Sequence, residues 1–184
     1  MRATGGGAAA AIQLTGHDAA ARLLPPTLAA RGIGLRHEGE GDQEFLRALF
    51  LSTRDERLLA AIPEAMRDCL LEQQFRARRS QFRRHFADAL FAVVEAQGRP
   101  VGRLCLARGP EGLHVVDIAI LPGWQGGGLG RALLLAIQDE AAAAGARVTL
   151  RVDMLNGGAQ RLYHRLGFRV AAEQPPDLLL EWRP

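Results

Sequence analysis

The stretch PGWQGGGLGRALL, residues 122–134, carries four glycines within the five positions from Gly126 to Gly130, between a predicted strand and a predicted helix. The first amides of a helix have no carbonyl partner within the helix. Glycine has no Cβ, so an anion can approach those amides closely, and the helix dipole adds partial positive charge there. The stretch therefore predicts a binding site for a phosphate or pyrophosphate.

Three phosphate-binding patterns compete for this stretch, beside a glycine-rich turn that binds no ligand. A P-loop requires a lysine, and all 23 basic residues of the 184-residue chain are arginines. The GxGxxG fingerprint of dinucleotide sites fails because Arg131 stands where its third glycine is needed. The pattern Gln-x-x-Gly-x-Gly fits at Gln125, Gly128 and Gly130. Each glycine in the first turn of a helix costs about 1 kcal/mol relative to alanine, which argues against a turn without a ligand.

The elements that must position this stretch predict an α/β domain. In order, the patterns predict a strand over 33–38, helices from Asp42 and over 63–86, a hairpin around Gln97-Gly98, strands over 113–121 and 147–153, helices over 129–144 and 156–166, and final strands over 168–171 and 178–182. The strand before the glycines is almost entirely apolar, so we expect it at the centre of the sheet. Residues 1–31 are rich in Ala and Gly and are predicted to form a flexible N-terminal extension.

Composition and charge narrow the classes of partner. The net charge is only +3, and five arginines between Arg76 and Arg84 are expected on a solvated helix face. Few aromatic residues accompany them, so platforms for stacking bases are missing and no nucleic-acid partner is expected. No apolar run approaches the roughly 18–20 residues that span a bilayer, so no membrane is expected. Cys69 and Cys105 form no metal spacing, no metal is predicted, and we expect a cytoplasmic protein.

Two segments together resemble the GNAT superfamily of acetyl-CoA-dependent N-acetyltransferases. VVDIAILPGWQGGGLGRALLLAIQDEAAAAG, residues 115–145, resembles the family's motif of strand, pyrophosphate loop and helix. NGGAQRLYHRLGF, residues 156–168, is similar to its motif N-x-x-A-x-x-x-Y-x-x-x-G-F. Gly127 departs from the family, which often carries a basic residue there. The resemblance implies a GNAT domain over residues 32–184, with a mixed, mostly antiparallel twisted sheet, a central splayed strand pair and flanking helices.

The resemblance also implies a reaction and its partners. An amine attacks the thioester carbonyl of acetyl-CoA, a tetrahedral oxyanion forms, and the CoA thiolate leaves as product. The acceptor is a primary amine on a small molecule or a peptide, and its identity stays open. The protein is expected to be a monomer or a homodimer. The alternative is a non-catalytic acyl-CoA-binding or sensing module on the same fold.

Tyr163, the only tyrosine of the chain, occupies the family's position for the general acid that protonates the leaving thiolate. Asp117 and His114 are the candidates for the base that deprotonates the amine, beside a water chain without a dedicated base. Strand alternation predicts Asp117 on the face of Val115 and Ala119, and His114 on the opposite face. A structural ion pair with arginine is the competing role for Asp117, and an ordinary surface position is the competing one for His114.

The resemblance implies cofactor contacts along the central strand, the glycine stretch and the second motif. They are Ile118, Ala119, Ile120, Gln125, Gly126, Gly127, Gly128, Leu129, Gly130, Arg131, Asn156, Ala159, Tyr163 and Arg165.

Overall fold

The computed structural model describes Ala20 and residues 23–54, 62–109 and 111–184. Seven strands form one sheet in the order β1-β2-β3-β4-β5-β7-β6. Their bounds are β1 Ile33–His37, β2 Leu90–Ala96, β3 Arg99–Gly109, β4 Gly112–Ile120, β5 Arg147–Asp153, β6 Arg169–Gln174 and β7 Asp177–Trp182. Neighbouring strands are antiparallel except β4 and β5, which are parallel. The predicted α/β class and the mixed, mostly antiparallel sheet are confirmed.

Helices cover both faces of this sheet. Their bounds are α1 Pro26–Ala29, α2 Gln43–Ser52, α3 Glu64–His85, α4 Leu129–Ala143 and α5 Gly157–Arg165. Side chains from α1, α4 and α5 build the main core with one face of the strands. α2 and α3 lie against the other face, where α2 contacts β3 and β4. Among the described residues, no helix is long and apolar enough to cross a membrane.

The β2–β3 hairpin follows the turn chemistry of its two connecting residues. Gln97 and Gly98 have φ of 51° and 74°, and Ala96 pairs with Arg99. Positive φ at both central residues is the geometry of a tight turn whose twist matches that of the strands. The hairpin predicted around Gln97-Gly98 is confirmed.

β4 and β5 pair over only the first half of their length. Gly112–Val115 pair with Arg147–Leu150, and the pairing ends there although the strands continue to Ile120 and Asp153. A gap therefore opens between the carboxyl ends of the two strands. This gap is the central splayed pair that the resemblance implies.

A β-bulge in β4 corrects the predicted arrangement of the base candidates. Cys105 pairs with Asp117 but Leu106 pairs with Val115, so Val116 is an extra residue in β4. Such a residue switches the face on which the following side chains lie. Val115 lies in the main core, whereas Asp117 contacts α3 on the opposite face. The prediction that Asp117 shares a face with Val115, opposite His114, is therefore wrong: His114 also faces this side and stacks on Phe86.

The last part of the predicted extension contacts the core. Leu28 in α1 is 1% exposed, and Ala20 and Leu23 are buried beside it. Residues 1–19, 21 and 22, on which the rest of the predicted extension falls, lie outside the described part of the chain.

Candidate functional site

The glycine stretch forms a loop between β4 and α4. Gly126 and Gly128 have φ of 78° and 79°, a conformation that glycine adopts without steric cost, and Gly128 is the N-cap of α4. The side-chain amide of Gln125 donates a hydrogen bond to the Ile120 carbonyl at 2.8 Å. Gln125 therefore ties the loop to the end of β4. The predicted transition from strand to helix at this stretch is confirmed.

The amides of this loop point to open space. No carbonyl or side chain among the described residues accepts a hydrogen bond from the amides of residues 126–131. A Cβ built on Gly127 or Gly130 meets no atom within 4 Å, and neither residue has a positive φ. Neither packing nor backbone conformation therefore requires glycine at these two positions. Free amides beside uncrowded glycines fit the pyrophosphate of a cofactor such as acetyl-CoA.

The open edge of β4 presents backbone groups to the gap. The Leu121 amide donates to the Val101 carbonyl of β3. Because backbone groups alternate along a strand, those of Ile118 and Ile120 point away from β3, into the gap. The Ala119 amide points toward β3. Of the three strand residues predicted to contact the cofactor, Ile118 therefore offers its backbone groups to the gap and Ile120 offers its amide, since the Ile120 carbonyl accepts from Gln125.

The second motif begins at the same end of the sheet as the loop, because β4 and β5 are parallel. Asn156 caps α5, and its side-chain oxygen accepts a hydrogen bond from the Ala159 amide at 3.0 Å. Ala159 packs against the main core. Arg165 is exposed in the last turn of α5, at the end away from Asn156. The structure thus brings Asn156 to the loop end of the sheet and leaves Arg165 remote from it.

Tyr163 is a buried phenol whose hydroxyl has no hydrogen-bond partner among the described residues. Its ring packs edge-on against Phe168, with ring centroids 5.8 Å apart, and the residue is 8% exposed. No described residue forms a hydrogen bond with its hydroxyl. Burial raises the pKa of Tyr163 to about 12, with the negative charge of Asp117 as the smaller cause. Tyr163 therefore keeps its proton at neutral pH.

Asp117 is held by two arginines. One carboxylate oxygen accepts from Arg78 at 2.8 Å and the other from Arg103 at 3.4 Å. This ion pairing is the competing structural role that the sequence left open. Any part that Asp117 plays in catalysis is therefore played next to two guanidinium groups.

His114 lies in the paired part of β4, before the gap. Its Nδ1 is 2.9 Å from the Thr149 hydroxyl, and the hydroxyl lies 3.4 Å from the Leu113 carbonyl, to which it donates. With that hydrogen used, Nδ1 donates to Thr149 and Nε2 carries the free lone pair. Burial lowers the pKa of His114 from 6.5, and the charge of Arg151 adds to this. The ring is therefore neutral at pH 7 and able to accept a proton.

A buried acid and its arginines escaped the sequence analysis. The Glu38 side chain is fully buried and forms ion pairs with Arg79 at 3.2 Å, Arg83 at 3.0 Å and Arg103 at 3.4 Å. Arg79 and Arg83 belong to the helix face predicted to be solvated. The Arg83 side chain is 47% exposed and agrees with that prediction, whereas Arg79, at 23%, is turned toward Glu38. The Arg83 guanidinium carbon also lies 4.1 Å from the ring centroid of Phe91, near the start of β2. No short segment of the sequence signals this cluster, because Glu38 and its arginines are far apart in the chain.

Comparisons with known proteins agree with this site. A model of the Acetyltransferase (GNAT) family matches residues 55–168. An uncharacterized N-acetyltransferase of Mycobacterium tuberculosis is 35% identical over 95 residues, which are 50% of this chain and 61% of the relative's length. The L-methionine sulfoximine/L-methionine sulfone acetyltransferase of Salmonella typhimurium is 41% identical over 60 residues, or 32% of this chain and 35% of that protein.

Among solved structures, the PaiA N-acetyltransferase of Thermoplasma acidophilum in complex with coenzyme A superposes with a TM-score of 0.64. It is 17% identical, and the match covers 83% of this chain and 99% of the other. At this identity the likeness concerns the fold. The predicted splayed sheet with flanking helices is thus also found in a protein that binds coenzyme A.

Proposed function

Because the chain belongs to the GNAT acetyltransferase family, we propose that it transfers an acetyl group from acetyl-CoA directly to a primary amine. The observation that carries the proposal is the gap between β4 and β5, which opens beside a loop of free amides. The match covers only 61% of the mycobacterial relative's length. The acetyltransferase activity is therefore proposed for this chain and is not transferred from that relative.

Acetyl-CoA is the acyl donor of this family, and when bound it supplies a thioester carbonyl that an amine attacks. The amides of Gly126 to Arg131 hold the pyrophosphate at the start of α4, where the helix dipole favours negative charge. Gln125 holds this loop against Ile120. The backbone groups of Ile118 and the amide of Ile120 receive the pantetheine arm, and an amide on this edge stabilises negative charge on the carbonyl oxygen.

Two side chains, Tyr163 and His114, handle the protons. Tyr163 gives its proton to the leaving thiolate. Its phenol, with a pKa of about 12, is protonated at neutral pH and so has a proton to give. His114 lies on the same face of the sheet as Asp117 but before the gap, so it takes the proton of the acceptor amine at Nε2 through intervening water; its lowered pKa keeps the ring neutral. Asp117 lies close enough for its charge to act on Tyr163, and its part is to orient the amine rather than to deprotonate it.

The proposal includes the extent and setting of the enzyme. The catalytic domain spans residues 32–184, with α1 packed on its core, and the protein acts in the cytoplasm as a monomer or homodimer on a small-molecule or peptide amine. Sedimentation velocity with and without acetyl-CoA measures the oligomeric state.

A panel of primary amines, assayed for release of free CoA, tests the proposed reaction. We expect CoA release that depends on the amine, together with one acetylated product by mass spectrometry. Calorimetric titration with acetyl-CoA is the companion measurement. Binding of acetyl-CoA without release by any amine in the panel would support the alternative, a non-catalytic binding or sensing module. No binding at millimolar acetyl-CoA would refute the cofactor assignment.

A further inference from the structure

A cleft of about 380 Å³, part of it open to solvent, lies on the α3 side of the sheet. It ends at Asp117 and Ala119, on the half of β4 that is not paired with β5. One wall is apolar and comes from α2 and α3: Leu46, Leu49, Phe50 and Phe75. Clefts that combine an apolar wall with a few convergent polar groups are typical of small-molecule sites. An acceptor that reaches β4 through this cleft is therefore small and partly apolar.

The polar wall of the cleft carries net positive charge. Three arginines, Arg78, Arg79 and Arg103, face one acid, Asp117. Glu38, which lies behind them, is shared by Arg79, Arg83 and Arg103. The Arg54 guanidinium lies 3.9 Å from the Phe50 ring centroid, and its buried Nε has no hydrogen-bond partner among the described residues. A buried donor without a partner is costly, so Arg54, next to the cleft residue Phe50, adds to the attraction for an anion.

Arg78 has donors to spare for such an anion. Its side chain is 41% exposed and its hydrogen bond among the described residues uses Nη2, toward Asp117 at 2.8 Å. A guanidinium has five N–H groups, and two of them bind a carboxylate side by side. The cleft thus presents a cation with free donors directly beside an anion. A zwitterion whose ammonium and carboxylate are separated by one carbon matches this pair.

We propose that the acceptor is a free α-amino acid with an apolar side chain, whose carboxylate binds Arg78 and whose amine lies beside Asp117. This inference rests on the proposed acetyl transfer. The apolar wall receives the side chain, and Arg79, Arg103 and Arg54 add attraction for the carboxylate. A polyamine is repelled by the same wall. The N-terminal residue of a peptide has an uncharged amide in place of the carboxylate, so it lacks the charged partner that would bind Arg78.

Matched ligands test the carboxylate directly. Leucine, methionine and phenylalanine are compared with their amides and with their decarboxylated amines, by calorimetric binding to the protein saturated with CoA and by kcat/KM for CoA release. We expect at least one free acid to bind tenfold or more tightly than its amide and amine, because a hydrogen bond to a charged group changes affinity about 10- to 100-fold. Equal or tighter binding of the amides, or a preference for spermidine, overturns the inference.

Arg78→Gln locates the carboxylate site, with Arg84→Gln as its control. Arg84 lies on the same helix and bonds to Ser80 at 3.3 Å. We expect Arg78→Gln to reduce the ratio of acid to amide affinity to near one, while Arg84→Gln leaves it unchanged. The ratio of acid to amide affinity is insensitive to a general loss of folded or active protein, since both ligands are measured on the same variant. An unchanged ratio in folded Arg78→Gln refutes the site. CoA release measured alongside separates this failure from failure of acetyl transfer, in which no amine releases CoA although the acids still bind.

Discussion

Tyr163→Phe removes one oxygen from the proposed proton donor and leaves the rest of the site in place. The hydroxyl has no hydrogen-bond partner among the described residues, and the ring packs on Phe168 through its carbon atoms. Removing it therefore costs no internal hydrogen bond, and the free energy of unfolding should change by less than about 1 kcal/mol. The loss of general acid catalysis should lower kcat about 100- to 10,000-fold, which corresponds to about 3–5 kcal/mol in the activation free energy.

Single-turnover measurement of CoA release gives the chemical step without interference from product release. Calorimetry gives the acetyl-CoA Kd, and urea denaturation gives the stability. Tyr163→Ala is the packing control, since it removes the ring as well and should destabilise the fold by about 3–5 kcal/mol. If Tyr163→Phe weakens acetyl-CoA binding as much as it lowers the rate, or unfolds like the alanine variant, Tyr163 is a packing residue and the assignment fails. An unchanged single-turnover rate also refutes it.

Three further perturbations test the loop, the base and the buried acid. Gly130→Val should fold normally and raise the acetyl-CoA Kd at least tenfold, because a side chain there enters the space before the free amides. Gly41→Val is the control, since Gly41 is equally uncrowded but distant from the loop, and it should leave the Kd unchanged. The acidic limb of the kcat–pH profile should lie below pH 6.5, because burial and Arg151 lower the pKa of His114 and the neutral ring is lost only as the pH falls through this lowered pKa. Arg151→Gln should move the limb to higher pH. A limb that stays in place in His114→Gln excludes His114 as the base. Glu38→Gln should destabilise the fold by about 3–5 kcal/mol in urea denaturation, because it leaves the buried Arg103 without the charge of Glu38. A loss below about 1 kcal/mol would contradict a stabilising role of these ion pairs.

Much of the donor site could be predicted because it is local in sequence. Glycines at Gly126 and Gly128, the start of α4 and the cap at Asn156 each depend on residues within a few positions. The hairpin at Gln97-Gly98 is equally local. The spacing from Asn156 to Phe168 put Tyr163 on a short helix, and the structure has that helix. The role of Tyr163 as a proton donor stays a prediction.

The acceptor side depended on partners far apart in the chain. The bulge at Val116 arises from how β3 and β4 pair, and alternation along β4 alone gave the wrong face for Asp117. The ion pair of Arg78 and Asp117 joins residues 39 positions apart. A helix pattern distinguishes polar from apolar faces, but a buried acid such as Glu38 turns part of a polar face inward.

The sequence by itself determined the identity of the domain, the glycine-rich loop and the elements around it, since backbone conformation and helix ends follow from neighbouring residues. Only the tertiary structure decided where β4 and β5 part, which charges meet behind Asp117, and the net charge of the cleft beside it. These are properties of the whole sheet and of charges brought together from four separate elements, and no short segment of the chain contains them.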